Sequence, residues 1–118
     1  MSPSSPTGLL KLETEHRGNA VIARLIGSAN MVSATDLQDD LFALVDQNPS
    51  QIVLDLSRLA FINSLGLGGI IAAHVRYRRQ NGTIALAAPP PEIMELLRIT
   101  NLTRLFPIYD TVETALAN

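Results

Sequence analysis

Ile52-Val53-Leu54-Asp55-Leu56 and, a little further on, Phe61-Ile62-Asn63-Ser64-Leu65-Gly66-Leu67-Gly68-Gly69 decide how this chain folds. The first stretch is short, β-branched and almost wholly apolar, the pattern of a central strand covered on both faces. The second opens a helical run over residues 64–80. Its first half, residues 65–73, is apolar almost all round, and its second half carries Arg76, Arg78 and Arg79. Such a run predicts a helix packed deeply against the sheet. Residues 57–63 read as the connection between the two. A central strand feeding a buried helix is part of a βαβ unit, and the chain extends this pattern in both directions.

Upstream, Leu10 and Leu12 alternate with Lys11 and Glu13, which predicts a half-buried strand. His16-Arg17-Gly18-Asn19 turns it into a second strand over residues 20–26, giving a hairpin. Residues 27–32 read as a loop. Ser33, three residues before Asp36, resembles a capping box. Leu37, Leu41, Leu44 and Val45 then form a helical stripe with Phe42 beside it, ended by Asn48-Pro49.

Downstream, Asn81-Gly82 ends the buried helix and residues 83–87 form another short strand. Pro91 and Glu92 suit the first turn of a third helix, with Ile93, Met94, Leu96 and Leu97 toward the core. Residues 105–109 predict a last strand, interrupted by Pro107 and therefore at an edge. Asp110 with Glu113 opens a closing helix through Val112, Ala115 and Leu116. The expected fold class is α/β: a single domain with a mostly parallel mixed sheet of about four or five strands covered by about four helices. Residues 1–7 read as a flexible N-terminal tail and residues 8–118 as the domain.

Composition narrows the function. A chain of 118 residues, 47% of them apolar, fits one domain with one core. The absence of cysteine excludes disulfides, thiolate metal sites and a Cys nucleophile. A formal charge of −2 with interspersed signs argues against nucleic-acid binding. The N-terminus lacks a charged start followed by an apolar run, and the longest apolar stretch is about half the length a membrane helix needs. These features predict a soluble cytoplasmic protein with no direct membrane insertion.

Residues 61–69 carry the functional reading. They lie where a strand delivers the chain to a helix, in the crevice where open α/β sheets bind ligands and partners. The helix start offers unpaired N–H groups and the positive end of a dipole. A phosphate on Ser64, with about −1.5 to −2 charge, would be tolerated there and would change the sign of the surface. Gly66 and Gly68 each cost a helix about 1 kcal/mol relative to Ala, which close approach of another backbone or a partner would justify. From spacing alone, Ser64 reads first as a plain N-cap and the glycines as spacers for helix–sheet packing. No Lys or Ser/Thr follows the last glycine, so the nucleotide P-loop pattern is absent, and Gly66-Leu67-Gly68 lacks the third glycine of a dinucleotide fingerprint.

The remaining polar residues have plain structural readings. His16 is a turn residue and His74 a partly exposed helix residue, neither in a metal or triad pattern. Asp55 is structural or supports the Ser64 loop through hydrogen bonds. Arg76, Arg78 and Arg79 complement a helix dipole and are solvated, and Asp39, Asp40 and Asp46 lie on a polar helix face. No nucleophile–base pair, carboxylate dyad or metal cluster is legible, so neither catalysis nor a cofactor is expected.

The stretch from Ile52 to Ser57, followed by Phe61-Ile62-Asn63-Ser64-Leu65-Gly66-Leu67-Gly68, resembles the signature of STAS domains. These are the anti-sigma factor antagonists of bacteria and related cytoplasmic domains of anion transporters. The resemblance runs from about Leu9 to the C-terminus. It includes the hairpin, the Gly27 loop and the late Ile99-Thr100-Asn101-Leu102 segment. It implies that Ser64 is phosphorylated by a partner kinase, the anti-sigma factor, that phosphorylation breaks the complex, and that a serine phosphatase restores it. The implied docking surface is Asn30, Ser33 and Thr35 together with Asn63, Ser64, Leu65, Gly66, Leu67 and Gly68. Asn63 stands where the family usually has Asp, Leu65 where a second Ser or Thr is common, and Gly27-Ser28-Ala29-Asn30 lacks the usual acidic residues. These departures support a second reading: a non-phosphorylated STAS scaffold subunit of a stress-signalling complex or of a membrane lipid transporter.

Overall fold

The computed structural model describes residues 10–29 and 34–118. The expected N-terminal tail, residues 1–7, lies outside them. Five strands form one sheet in chain order: β1 (Lys11–Arg17), β2 (Ala20–Ala29), β3 (Gln51–Ile62), β4 (Ile84–Ala87) and β5 (Ile108–Tyr109). The β1–β2 hairpin is antiparallel and every other pairing is parallel. The helices are α1 (Ala34–Asp46), α2 (Ser64–Arg78), α3 (Pro91–Ile99) and α4 (Val112–Leu116), with a 3-10 turn at Leu102–Arg104. The α/β expectation of a mostly parallel mixed sheet is met.

Three crossovers step the same way across the sheet, so a constant hand brings α1, α2 and α3 to one face. Val21, Leu25, Ile52, Leu54, Ile84 and Leu86 meet them there, and the α1 stripe of Leu37, Leu41, Leu44 and Val45 is buried against them. The opposite face carries a smaller core in which Val112 and Ala115 of α4 cover Ile22, Val53, Ala85 and Ala87. Strands covered on both faces read as near-continuous apolar runs, which is why β3 and β4 were legible.

The expectation that residues 57–63 are a connection is wrong, because β3 continues to Ile62. Its pairing with β2 shifts register between Arg24 and Ile26 and again between Gly27 and Ser28. Each bulge inserts one residue into β3, so the core-facing residues are Leu54, Leu56, Leu59 and Ile62 rather than every second one. That spacing looks like a loop to any period-2 reading. β2 likewise runs on through Gly27 to Ala29 instead of ending at Ile26, with Gly27 at φ 101. Asp55 braces the first bulge. Its carboxylate accepts from Ser57 N at 3.0 Å and pairs with Arg24 at 3.5 Å. Its role is therefore structural.

Further corrections concern single residues. The last strand is only Ile108–Tyr109, because Phe106 turns inward against the core. The closing helix is capped by Thr111, whose hydroxyl accepts from Thr114 N, not by Asp110. His16 lies within β1 rather than in the turn. Arg76 is not simply solvated. It makes a two-pronged ion pair with Asp46 at 2.9 and 3.0 Å and stacks over the Phe42 ring at 4.5 Å, tying α2 to α1. Tyr77 is buried, donates to Pro49 O at 2.6 Å and lies so close to Gly82 that a Cβ there would meet the ring at 2.4 Å.

His74 is buried rather than partly exposed. Its Nδ1 accepts from Ile84 N at 3.3 Å and its ring lies 4.7 Å from that of Phe106. Burial, and then the charge of Arg78, lower its pKa below the ordinary 6.5, so the folded ring is neutral. The unfolded chain takes up this proton first. The stabilising effect is therefore complete above about pH 6.5 and is lost as the pH falls toward the depressed folded value. Urea midpoints should fall as the pH drops below about 6.5 in the native protein. They should fall less in His74→Gln, whose amide oxygen accepts the same bond; equal slopes would exclude His74 as the source.

Candidate functional site

β3 is much longer than β4, so its last third projects past the sheet and pairs with the end of β2 alone. At the tip, Asn63 N donates to Ala29 O at 3.0 Å, which anchors the turn to β2. Asn63 takes an extended conformation, φ −89 and ψ 177, and its side-chain oxygen accepts from Gly66 N at 2.8 Å. Asn63 is thus the N-cap of α2, and the reading of Ser64 as the cap is incorrect. Ser64 is the first helical residue and is exposed. Its hydroxyl stands at the positive end of the helix without serving the cap, where an added anion meets a favourable dipole.

The three glycines separate into two kinds. A Cβ on Gly66 would come within 2.8 Å of Ile62 Cγ1 and 3.2 Å of Ala29 Cβ. A Cβ on Gly69 would come within 3.1 Å of Gln38 Cβ on α1. Both are needed for α2 to approach its neighbours. A Cβ on Gly68 would meet nothing within 4 Å. The fold would accept alanine there, and the helix would gain about 1 kcal/mol from it.

Among the expected docking residues, Asn30 and Ser33 lie outside the described residues. Thr35 is exposed in the first turn of α1, one turn before Gln38, and Asn63 is half-buried. Leu65 is 46% exposed and Gly68 is exposed. Gly66 is buried, and Leu67 packs inward with Leu56, Ile62 and Leu102, so these two support the site from beneath. Sequence reasoning gave no role to Phe61, which is 51% exposed beside the Ser64 turn, because the bulges that turn it outward were not visible. No Asp, Glu, Lys or Arg occurs between Leu59 and Val75, so the Ser64 turn and the first three turns of α2 contribute no charged side chain of their own. Among the described residues, no group of three or more His, Cys, Asp or Glu is placed to hold a metal, and no helix is long and apolar enough to cross a membrane.

The STAS domain profile matches residues 11–115. BtrV of Bordetella bronchiseptica is 32% identical over 108 residues, covering 92% of this chain and 93% of that protein. The anti-sigma F factor antagonist of Paenibacillus polymyxa is 29% identical, covering 91% of this chain and 92% of its own. An anti-sigma factor antagonist crystal structure from Mycobacterium paratuberculosis superposes with a TM-score of 0.83 at 27% identity, over 92% of each chain.

Two substitutions check this geometry by chemical denaturation. Asn63→Ala should cost about 1 kcal/mol through loss of the cap. Gly66→Ala should cost about 1–3 kcal/mol through overpacking against Ile62 and Ala29, whereas Gly68→Ala should be neutral or stabilising.

Proposed function

This chain belongs to the STAS domain family, and from that premise we propose that it is an anti-sigma factor antagonist, a binding protein rather than an enzyme. It docks on a serine-kinase anti-sigma factor through the surface around Ser64 and so releases the sigma factor. The kinase transfers the terminal phosphoryl group of ATP to Ser64 Oγ, leaving ADP, and the modified antagonist dissociates. A serine phosphatase hydrolyses the phosphoserine and resets the cycle. The observation that carries this reading is the placement of Ser64: exposed, in the first turn of α2, and relieved of capping by Asn63.

The same geometry supports a switch that changes the surface without unfolding the domain. A carboxylate or phosphate at the first helical position is stabilised by the dipole, so the modified chain keeps its fold. Buried in a protein contact, that charge would have to be desolvated or paired. Asn63, with no carboxylate beside the acceptor, favours the second reading, a STAS scaffold subunit that binds without being phosphorylated.

Intact mass and peptide mapping of protein from its native cells, with and without phosphatase treatment, separate the two. A phosphatase-sensitive phosphate on Ser64 supports the antagonist cycle. An unmodified Ser64 across growth and stress conditions would favour the scaffold of a stress-signalling or lipid-transport assembly. Ser64→Glu should weaken binding to the kinase at least ~10-fold while leaving the melting temperature unchanged or raised, and Ser64→Ala should bind as the native protein does.

A further inference from the structure

The first half of α2, apolar almost all round in sequence, was expected to pack deeply, and in the structure the helix buries one side. Gly66, Gly69, Ile70, Ala73, His74 and Tyr77 face inward. The outer face is also apolar: Leu65, Gly68, Ala72 and Val75 follow at spacings of three and four residues, the repeat of a single helix face. Val75 is 47% exposed, about as much as Leu65, although about 15 Å of helix separates them. An outer helix face of a water-exposed layer is ordinarily polar. This one joins the Ser64 turn at its upper end, where Phe61 extends the apolar surface onto β3.

Gly68 lies in the middle of that face and is the glycine the fold does not need. A helical glycine with open space over it is accounted for by a neighbour that comes close enough to exclude even a methyl group. A switch residue must lie inside the contact it switches. Ser64 stands between Phe61 and Leu65, so whatever Ser64 controls also covers them and meets the face that continues from them.

We infer that the anti-sigma factor docks along the whole outer face of α2, from Phe61 to Val75, with its backbone closest to the helix at Gly68. This inference rests on the function proposed above and extends the contact well beyond the serine turn. It also gives the switch its physical basis. Leu65, Gly68, Ala72 and Val75 carry no charge, so an apolar partner surface fits them, and a phosphate at the upper end breaks the contact by its own desolvation. No opposing carboxylate is required on either protein, and Asn63 in place of an acid keeps the unmodified face uncharged.

The test is site-specific photo-crosslinking in the native cells, with a benzophenone side chain at Leu65, at Val75, or at the exposed Ile99 of α3 as an off-face control. The expected result is that positions 65 and 75 both link to one protein carrying an ATP-binding serine-kinase domain, that position 99 does not, and that Ser64→Glu removes both links. A kinase link from position 65 but not 75 would overturn the inference and leave the proposed function standing. Links from position 75 to a second copy of this chain would make the face a homodimer interface and overturn the inference. No kinase link from either position would remove the proposed function and the inference with it. In the second arm, Gly68→Ala and native protein are melted and titrated with the kinase so identified. Gly68→Ala should melt at the same or a higher temperature and bind ~10-fold more weakly; equal affinity would overturn the close approach at Gly68.

Discussion

Everything on the upper side of this molecule depends on β3 keeping one apolar edge in the core over a length its neighbour β4 cannot match. A regular strand of twelve residues would turn every second side chain inward. β3 instead gains a residue at each of two places and twists, so that Leu59 and Ile62 still reach the core after Leu54 and Leu56. Asp55, bonded to Ser57 N and paired with Arg24, holds the first of these bulges from the opposite face. Its carboxylate therefore acts on the site at a distance, by fixing the path of the strand that leads into Asn63.

The turn is fixed by small residues and one amide. Ala29, Gly66 and Ile62 meet so closely that the end of β2, the end of β3 and the start of α2 share one contact. Asn63 closes the arrangement with two hydrogen bonds, one from its backbone N to Ala29 O and one from Gly66 N to its side chain. An amide accepts from the helix N–H as a carboxylate would, and it adds no charge beside Ser64. Ser64 is exposed as a consequence, because the capping task is already taken.

Most of the architecture could be read from periodicity. β4 and the inner part of β3 are apolar on both faces, and the α1 stripe has unbroken helical spacing. The reading failed where a bulge or a tertiary contact replaced the simple period. Residues 57–62 looked like a loop because their core positions are three apart. Phe106 left the last strand to set its ring at a tilt against that of His74, and His74 was buried by that partner and by the N–H of Ile84, neither of them on its own helix. Ser64 was singled out by its place in the motif, but which side chain caps the helix is a matter of φ and ψ at Asn63, which composition does not report. The division of three neighbouring glycines into two structural ones and an open one is likewise visible only once Ile62, Ala29 and Gln38 have positions in space.

The sheet order, β1-β2-β3-β4-β5, is also the order of synthesis. Each strand pairs with the one made just before it, and each crossover helix is made before the strand that secures it. Loop closure is therefore modest at every step, the condition under which folding is fast and can proceed on the ribosome. Helix α4 departs from this order: it follows all five strands in the chain yet covers Ile22, Val53, Ala85 and Ala87. Until it docks, that face of the sheet stands open to water, so the docking of α4 is the event that closes the second core.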